Sequence, residues 1–418
     1  MEGREEAGNR RRVTRIISFF FLFLILAGIG REIGRGKYRD IGLALYVIPV
    51  VRYYYLEPVS FSQLISNYIR SGNIRDMLAN LEDPYTRYLN PKEYEDLLSQ
   101  TEGTYGGVGF YVVYKEEELT IMKPIKNTPA AEVDLRAGDR IIAINGESTG
   151  EMALEVAVTK IKGAPGTKVA LTIERGEGNN RQIQEVELTR ALIVIPTVER
   201  RVESDPVAGK IGRVDILQFS EKTPEDLQKA LEFLATEGVV GVLLDLRYNP
   251  GGLLTAAVET AGCFVGERPV VYVTQRGEKV RTYTPSPAED WHLPLVVMVN
   301  EWSASGAEIL AGAIKDYQTG TLVGNTTFGK GVVQDIIPLV NGGAVTLTVA
   351  GYLTAGGHSI HGKGIEPDIE IEIGKDLEKA IQDGDFDTVR EIEERTEEKA
   401  REILRQKVFQ ARPEKPAA

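Results

Sequence analysis

Residues 300–316 read NEWSASGAEILAGAIKD, and within them Ser305 stands where an apolar strand pattern hands over to a helical one. A serine hydroxyl is a nucleophile only if a base takes its proton. It can also be a helix cap, because Glu308 three residues on completes the S-x-x-E pattern in which the two side chains satisfy the first backbone donors of a helix. Cap and nucleophile are compatible, and on local sequence alone the cap is the stronger reading. Position favours catalysis: a serine directly after a buried strand lies at the carboxyl end of a sheet, where α/β proteins place ligands. The small neighbours Ala304, Gly306 and Ala307 let a substrate backbone approach, and a helix N-terminus offers N–H groups to a developing oxyanion.

The base is the next question. His358 and His361 lie in a glycine-rich stretch without an acid nearby in sequence. With His292 they form no metal-ligand spacing, so no metal site is expected. Lysine is the alternative. Lys330, in TTFGKGVVQ, sits between Gly329 and Gly331 at a strand entry, and burial among small groups favours the neutral amine that a base requires. A solvated turn lysine is the commoner outcome of such a setting. Gln334, four residues on, shares a face with Lys330 if the strand is regular, so its amide can orient the ammonium or the serine.

A chain of 418 residues with 42% hydrophobic content is long enough for two or three domains. The net charge of -12 argues against nucleic acid as a partner and leaves peptides or small molecules. The single cysteine, Cys263 in an apolar stretch, excludes an internal disulfide and a thiolate metal cluster. Residues 16–30, IISFFFLFLILAGIG, follow Arg10, Arg11, Arg12 and Arg15 in the layout of a secretory signal or a single membrane anchor, so an extracytoplasmic location is expected. A second apolar run, 41–51, is interrupted by Pro49 and is too brief for another span.

Helical recurrence at Leu64, Ile65, Ile69, Ile74 and Leu78 ends at the breaker DPYTRYLNP. The following segment is strand-rich, from TYGGVGFYVVY to QEVELTR. A glycine-rich strand start presents backbone N–H groups that can receive a peptide's terminal carboxylate while the peptide extends the sheet edge. From 209 onward, apolar strands alternate with amphipathic helices, which implies a sheet covered on both faces. Residues 331–353 read as a hairpin around Asn341, Gly342 and Gly343, and the tail from 375 reads as a charged helix with a solvated face.

Residues 103–192 resemble a PDZ domain. Gly107, Val108, Gly109 and Phe110 match its carboxylate-binding loop, and Ala137, Gly138 and Asp139 through Asn145 and Gly146 match its turn-strand-turn. From about 57 to 374 the chain resembles the C-terminal processing peptidases, or tail-specific proteases, through GNIRDMLANLEDPYTRYL, LLDLRYNPGG, SASGAEILAGAIKD, TTFGKGVVQ and HGKGIEPD. That resemblance implies a multidomain α/β protein with an N-terminal helical region, a PDZ domain and a crotonase-like α/β catalytic core. It divides the chain into 1–40 (signal or anchor), 41–100 (helical), 101–192 (PDZ), 193–374 (catalytic) and 375–418 (charged tail). The family's nucleophile falls on Ser305, its general base on Lys330 and its third catalytic position on Gln334. The backbone N–H groups of Gly306 and Gly251 are the implied oxyanion donors. Substrates would be proteins with free C-termini, with no cofactor. The N-terminal segment would contact a membrane, and a homo-oligomer is allowed. The sequence departs from the family in having SASGAE for SASASE and Ala355 where proline is usual; neither change removes a catalytic group. A PDZ scaffold without catalysis, and acyl-thioester chemistry on the crotonase-like core, are the competing readings.

Overall fold

The computed structural model describes residues 37–115, 118–125, 127–133, 135–136, 138–150, 152–176, 181–276, 278–287, 291–371 and 386–411. The arginine-flanked run at 16–30, Ala137 and the tail beyond 411 lie outside them. Among the described residues no helix is long and apolar enough to cross a membrane.

In chain order the helices are α1 Ile41–Tyr54, α2 Phe61–Ser71, α3 Ile74–Ala79, α4 Pro91–Glu102, α5 Pro129–Glu132, α6 Leu154–Ile161, α7 Thr223–Thr236, α8 Leu254–Val265, α9 Gly306–Asp316 and α10 Phe386–Ala411. The strands are β1 Arg87–Leu89, β2 Thr104–Gly107, β3 Phe110–Lys115, β4 Glu118–Pro124, β5 Arg140–Ile144, β6 Glu147–Ser148, β7 Lys168–Arg175, β8 Gln182–Thr189, β9 Ala191–Val194 and β10 Val198–Asp205. They continue with β11 Gly209–Ile216, β12 Val242–Asp245, β13 Val271–Gln275, β14 Glu278–Tyr283, β15 Leu295–Val299, β16 Thr321–Gly324, β17 Val332–Pro338, β18 Ala344–Thr354 and β19 Ile369–Glu370.

These elements form two compact units. One holds the described residues up to Glu95, together with Val271–Tyr283 and Lys330–His361. Its helix α1 runs through Pro49, contrary to the expected interruption, because Ala44, Val47, Ile48 and Val51 bury one face and packing outweighs the missing N–H. That face belongs to one core with Leu64, Met77 and Leu78 and, from the β17–β18 hairpin, Leu339 in its turn and Val345 and Leu347 in β18. The β17–β18 hairpin forms as expected, with Pro338 opposite Ala344. β1 pairs on β18 through Arg87↔Thr346 and Leu89↔Ala344.

The other unit contains two sheets that matter for function. In the first, β3-β4-β5-β7-β8, the two-residue turn Asn145-Gly146 has positive φ at both residues (51° and 79°), the geometry a tight hairpin needs between β5 and β6. Asp139 is buried and takes Arg175 in a two-pronged contact at 2.6 and 2.7 Å. In the second, β10-β11-β12-β15-β16-β19, all neighbours are parallel except β10 with β11. β12 and β15 are buried throughout, as their continuous apolar runs require.

Helix α10 corrects the expectation of a solvated charged helix. Ile392, Thr396, Ala400, Leu404 and Val408 recur every four residues and are buried. The last three join Leu243, Val296, Met298 and Val323 in one core. A four-residue stripe suffices to bury a helix face even where charges dominate the composition.

Candidate active site

β12 and β15 lie side by side, and the turns leaving their carboxyl ends, 246–252 and 300–305, are joined by hydrogen bonds. Ser303 is fully buried; its Oγ donates to the Leu246 carbonyl (2.8 Å) and accepts from the Asn300 N–H (3.0 Å). The Asn300 side-chain oxygen accepts from the N–H of Tyr248 (3.0 Å) and of Trp302 (3.2 Å). The Ala304 N–H donates to the Asn249 carbonyl (2.9 Å). The first serine of the SAS run is thus structural, and the second is left at the head of α9.

Ser305 has φ 52° and ψ -111°. An ordinary helix cap is extended, whereas this is a strained left-sided conformation costing about 1–3 kcal/mol. A sharp turn of this kind between a strand and a helix lifts a serine hydroxyl clear of the sheet, as in nucleophile elbows. The expected capping box nevertheless forms: the Ser305 side chain accepts from the Glu308 backbone N–H, and Glu308 Oε2 accepts the Ser305 N–H at 2.8 Å. Its Oε1 accepts Thr327 Oγ1 and the Gly329 N–H, both at 2.6 Å, and its side chain is completely buried. One carboxylate therefore ties the serine turn to the segment that ends at Gly329, the residue before Lys330 in the chain. Sequence reasoning saw Glu308 only as half of a cap, because its other partners lie 19 and 21 residues away.

Gly251 packs directly on the serine turn. A Cβ there would stand 2.6 Å from the Ala304 carbonyl and the Gly306 nitrogen and 2.7 Å from Ser305 Cβ, so no other residue fits without movement. Its φ of 92° demands glycine as well. Its N–H, one of the two expected oxyanion donors, is donated to Asn249 Oδ1 at 2.8 Å. Gly306 opens α9, so its N–H belongs to the first turn, and a Cβ on it would meet the Phe219 ring at 3.0 Å.

Lys330 and Gln334 belong to the unit that carries the N-terminal helices. Lys330 Nζ lies 4.7 Å from the centroid of the Tyr85 ring, and its carbonyl accepts the Tyr352 hydroxyl at 2.9 Å. A ring face attracts the ammonium form. Gln334 Nε2 is buried without a hydrogen-bond partner. The expected shared face of Lys330 and Gln334 does not follow from strand alternation: Lys330 precedes β17, and the pairing with β18 shifts register between Val333 and Gln334.

In the first sheet, Gly107 ends β2, Phe110 begins β3, and Gly109 between them has φ 86°. The carbonyl of Val108 accepts from the Ala130 N–H (2.8 Å), and that of Gly109 from the Ile125 N–H (2.9 Å) and Thr128 Oγ1 (3.0 Å). Val108 and Phe110 turn their side chains into the core. β3 is an edge of its sheet, the position at which an added strand can pair.

A serine on a strained strand-to-helix turn, in a chain that also carries an edge-stranded β domain opening on a glycine loop, suits a serine hydrolase joined to a peptide-recognition module. Residues 210–371 match the model of Peptidase family S41, and residues 97–174 match the PDZ domain model. The chain is 38% identical over 301 residues to a carboxyl-terminal-processing protease of a Synechocystis species, covering 72% of this chain and 70% of the relative. It is 37% identical over 374 residues to a carboxy-terminal-processing protease of Bartonella bacilliformis, covering 87% and 83%. Among solved structures it is similar to a photosystem II D1 C-terminal processing protease, with 29% identity, a TM-score of 0.51, and coverage of 81% of this chain and 96% of that one. The chain belongs to the carboxy-terminal processing proteases, a serine protease family with a PDZ domain.

Proposed function

We propose that this protein is an exported serine endopeptidase that captures free protein C-termini on its PDZ domain and cuts peptide bonds through a Ser305–Lys330 acyl-enzyme mechanism. The observation that carries the reading is the Ser305 turn: a strained serine, capped by another residue's carboxylate, with Gly306 and Gly251 clearing the space beside it. In the reaction, neutral Lys330 takes the Oγ proton and the alkoxide attacks the scissile carbonyl carbon. The Gly306 N–H stabilises the oxyanion, joined by the Gly251 N–H once Asn249 yields it. The tetrahedral adduct collapses to an acyl ester as the leaving amine takes the proton from the lysine. Water then attacks the ester with Lys330 again as base, the lysine returns that proton to Ser305 Oγ as the C–O bond breaks, and the shortened chain leaves as a carboxylic acid.

Leaving the Tyr85 ring face, which favours the charged form, is part of that cycle for Lys330. A resting enzyme that PDZ engagement brings into alignment follows, with Gln334 gaining its partner in the aligned state. An added strand on β3, with the carboxylate at residues 107–110, is the proposed capture mode. Export rests on the arginine-flanked run at 16–30, which also supplies the membrane contact.

Ser305→Ala and Lys330→Ala are expected to abolish cleavage of an unfolded protein while melting temperatures stay near wild type. A serine acting only as a cap would instead cost about 0.5–2 kcal/mol of stability and leave turnover intact. One peptide compared with free and amidated C-termini tests the PDZ step, and equal rates would refute it.

A further inference from the structure

We propose that helix α10, which lies beyond the residues matched by the peptidase model, is a positioning element of the active site: through Glu393 and Glu397 it holds the 245–252 turn that carries Gly251. This deepens the serine-protease reading and rests on it.

The link is built from charge-assisted contacts at the carboxyl end of β12. Asp245 is buried and receives Arg213 at 2.6 Å and Arg247 at 2.6 Å on its Oδ2, while its Oδ1 accepts the Arg247 N–H at 3.0 Å. Both arginines then reach α10. Arg213 pairs with the Glu397 carboxylate, and Arg247 Nη1 donates to the Glu393 carbonyl at 3.2 Å. The next residue in the turn, Tyr248, has φ 59°, a conformation a tyrosine holds only when its surroundings impose it. Two contacts impose it. Its N–H donates to Asn300 in the serine turn, and its hydroxyl faces the Glu393 side chain. Burial and that neighbouring carboxylate together push the hydroxyl well above the ordinary phenol range. Asn249, which follows, anchors to the Ile216 carbonyl at 2.7 Å and receives the Gly251 N–H.

α10 is thus fastened twice. Its apolar stripe lies on the sheet, and its first turns grip the loop that borders the nucleophile. The far end is tied separately: Arg405 pairs with Asp205, and that pair makes no contact with the turn. A helix needed only for stability has no reason to reach the turn that carries Gly251, and Arg247 ties it there. A full 1 Å misplacement can cost turnover about 10²-fold and removal of an oxyanion donor about 10²–10³-fold, so a smaller shift of the turn corresponds to about 10-fold.

The test uses the full chain and a fluorophosphonate probe that phosphonylates an activated serine through an oxyanion-stabilised step. Wild type, Ser305→Ala, Glu393→Ala/Glu397→Ala, Glu393→Gln and Leu404→Ala are compared for labelling rate, kcat, KM and melting temperature. The double variant is expected to label about 10-fold more slowly and lose kcat to match, with KM within about twofold. Glu393→Gln, which keeps an acceptor for Tyr248, recovers the rate. Leu404→Ala weakens the packed stripe without touching the turn, so it lowers the melting temperature and labels like wild type. Should the double variant fail to fold, Glu393→Ala alone is read the same way. Wild-type labelling by the double variant overturns the inference, as does Leu404→Ala slowing the reaction equally. Labelling of Ser305→Ala at the wild-type rate instead overturns the serine reading, and this inference with it.

Discussion

Around Ser305, the buried Glu308 carboxylate meets three donors, Ser303 bridges two turns, and Asn300 holds two backbone N–H groups. Around Lys330 the picture differs. The ammonium rests on an aromatic face, β17 begins with a register shift, and the Gln334 amide nitrogen is buried with nothing to bond. An unmade buried hydrogen bond costs about 1–3 kcal/mol, and chains rarely keep one without a use. In the proposed mechanism, this contrast sets a nucleophile fixed in advance against a base whose surroundings are completed only later. In that mechanism rigidity is concentrated at the serine turn and adjustability where the proton moves, with the Gly251 N–H still to be released by Asn249.

Substitutions at four positions break or sharpen this contrast. Gly251→Ala should have the largest effect, because its methyl collides with two backbone atoms of the serine turn; a fall in kcat of at least about 10²-fold is expected in steady-state assays. Glu308→Gln comes next. It puts an N–H₂ group where one of two accepting oxygens stood, and urea titration should show a loss of about 1–3 kcal/mol alongside reduced turnover. If turnover survives that loss, the carboxylate is scaffold alone.

On the lysine side the sign should reverse. Gln334→Leu removes the orphaned amide, so stability is expected to hold or rise by about 1 kcal/mol while cleavage falls. A marked loss of stability would mean the amide is already satisfied in solution. The smallest effect is at Tyr85. Tyr85→Phe keeps the ring face and should behave as wild type, whereas Tyr85→Leu forfeits about 0.5–1 kcal/mol of ammonium stabilisation. Cleavage of an amidated peptide should then rise about two- to fivefold, and an unchanged rate would mean the ring does not restrain the lysine.

Much of this was legible in the sequence where signals are local. The Asn341-Gly342-Gly343 hairpin, the buried parallel strands and the serine at a strand-to-helix junction all follow from short-range patterns. The misses are long-range or depend on register. Strand alternation could not anticipate the shift at Val333 and Gln334, which breaks the face-sharing argument for Lys330 and Gln334. The stripe of α10 was hidden among charges, since a packed face needs only one residue per turn. Glu308, Asn300 and Asn249 sit inside motifs already singled out, but their partners come from other segments. A buried glutamate in a helix's first turn was the available signal.

The unit built on α1–α3 is stitched together by residues far apart in the chain: the Thr348 N–H donates to Thr86 Oγ1 at 3.0 Å across 262 positions, and its carbonyl accepts the Leu56 N–H at 2.9 Å. At roughly 5–20 residues per second, a ribosome takes about 10–50 s to span that gap. Throughout that interval the earliest helices have emerged with Val47, Leu64 and Met77 lacking the strand that covers them. A newborn chain therefore carries an uncovered apolar face during synthesis, and truncation before β18 is expected to yield an aggregating product.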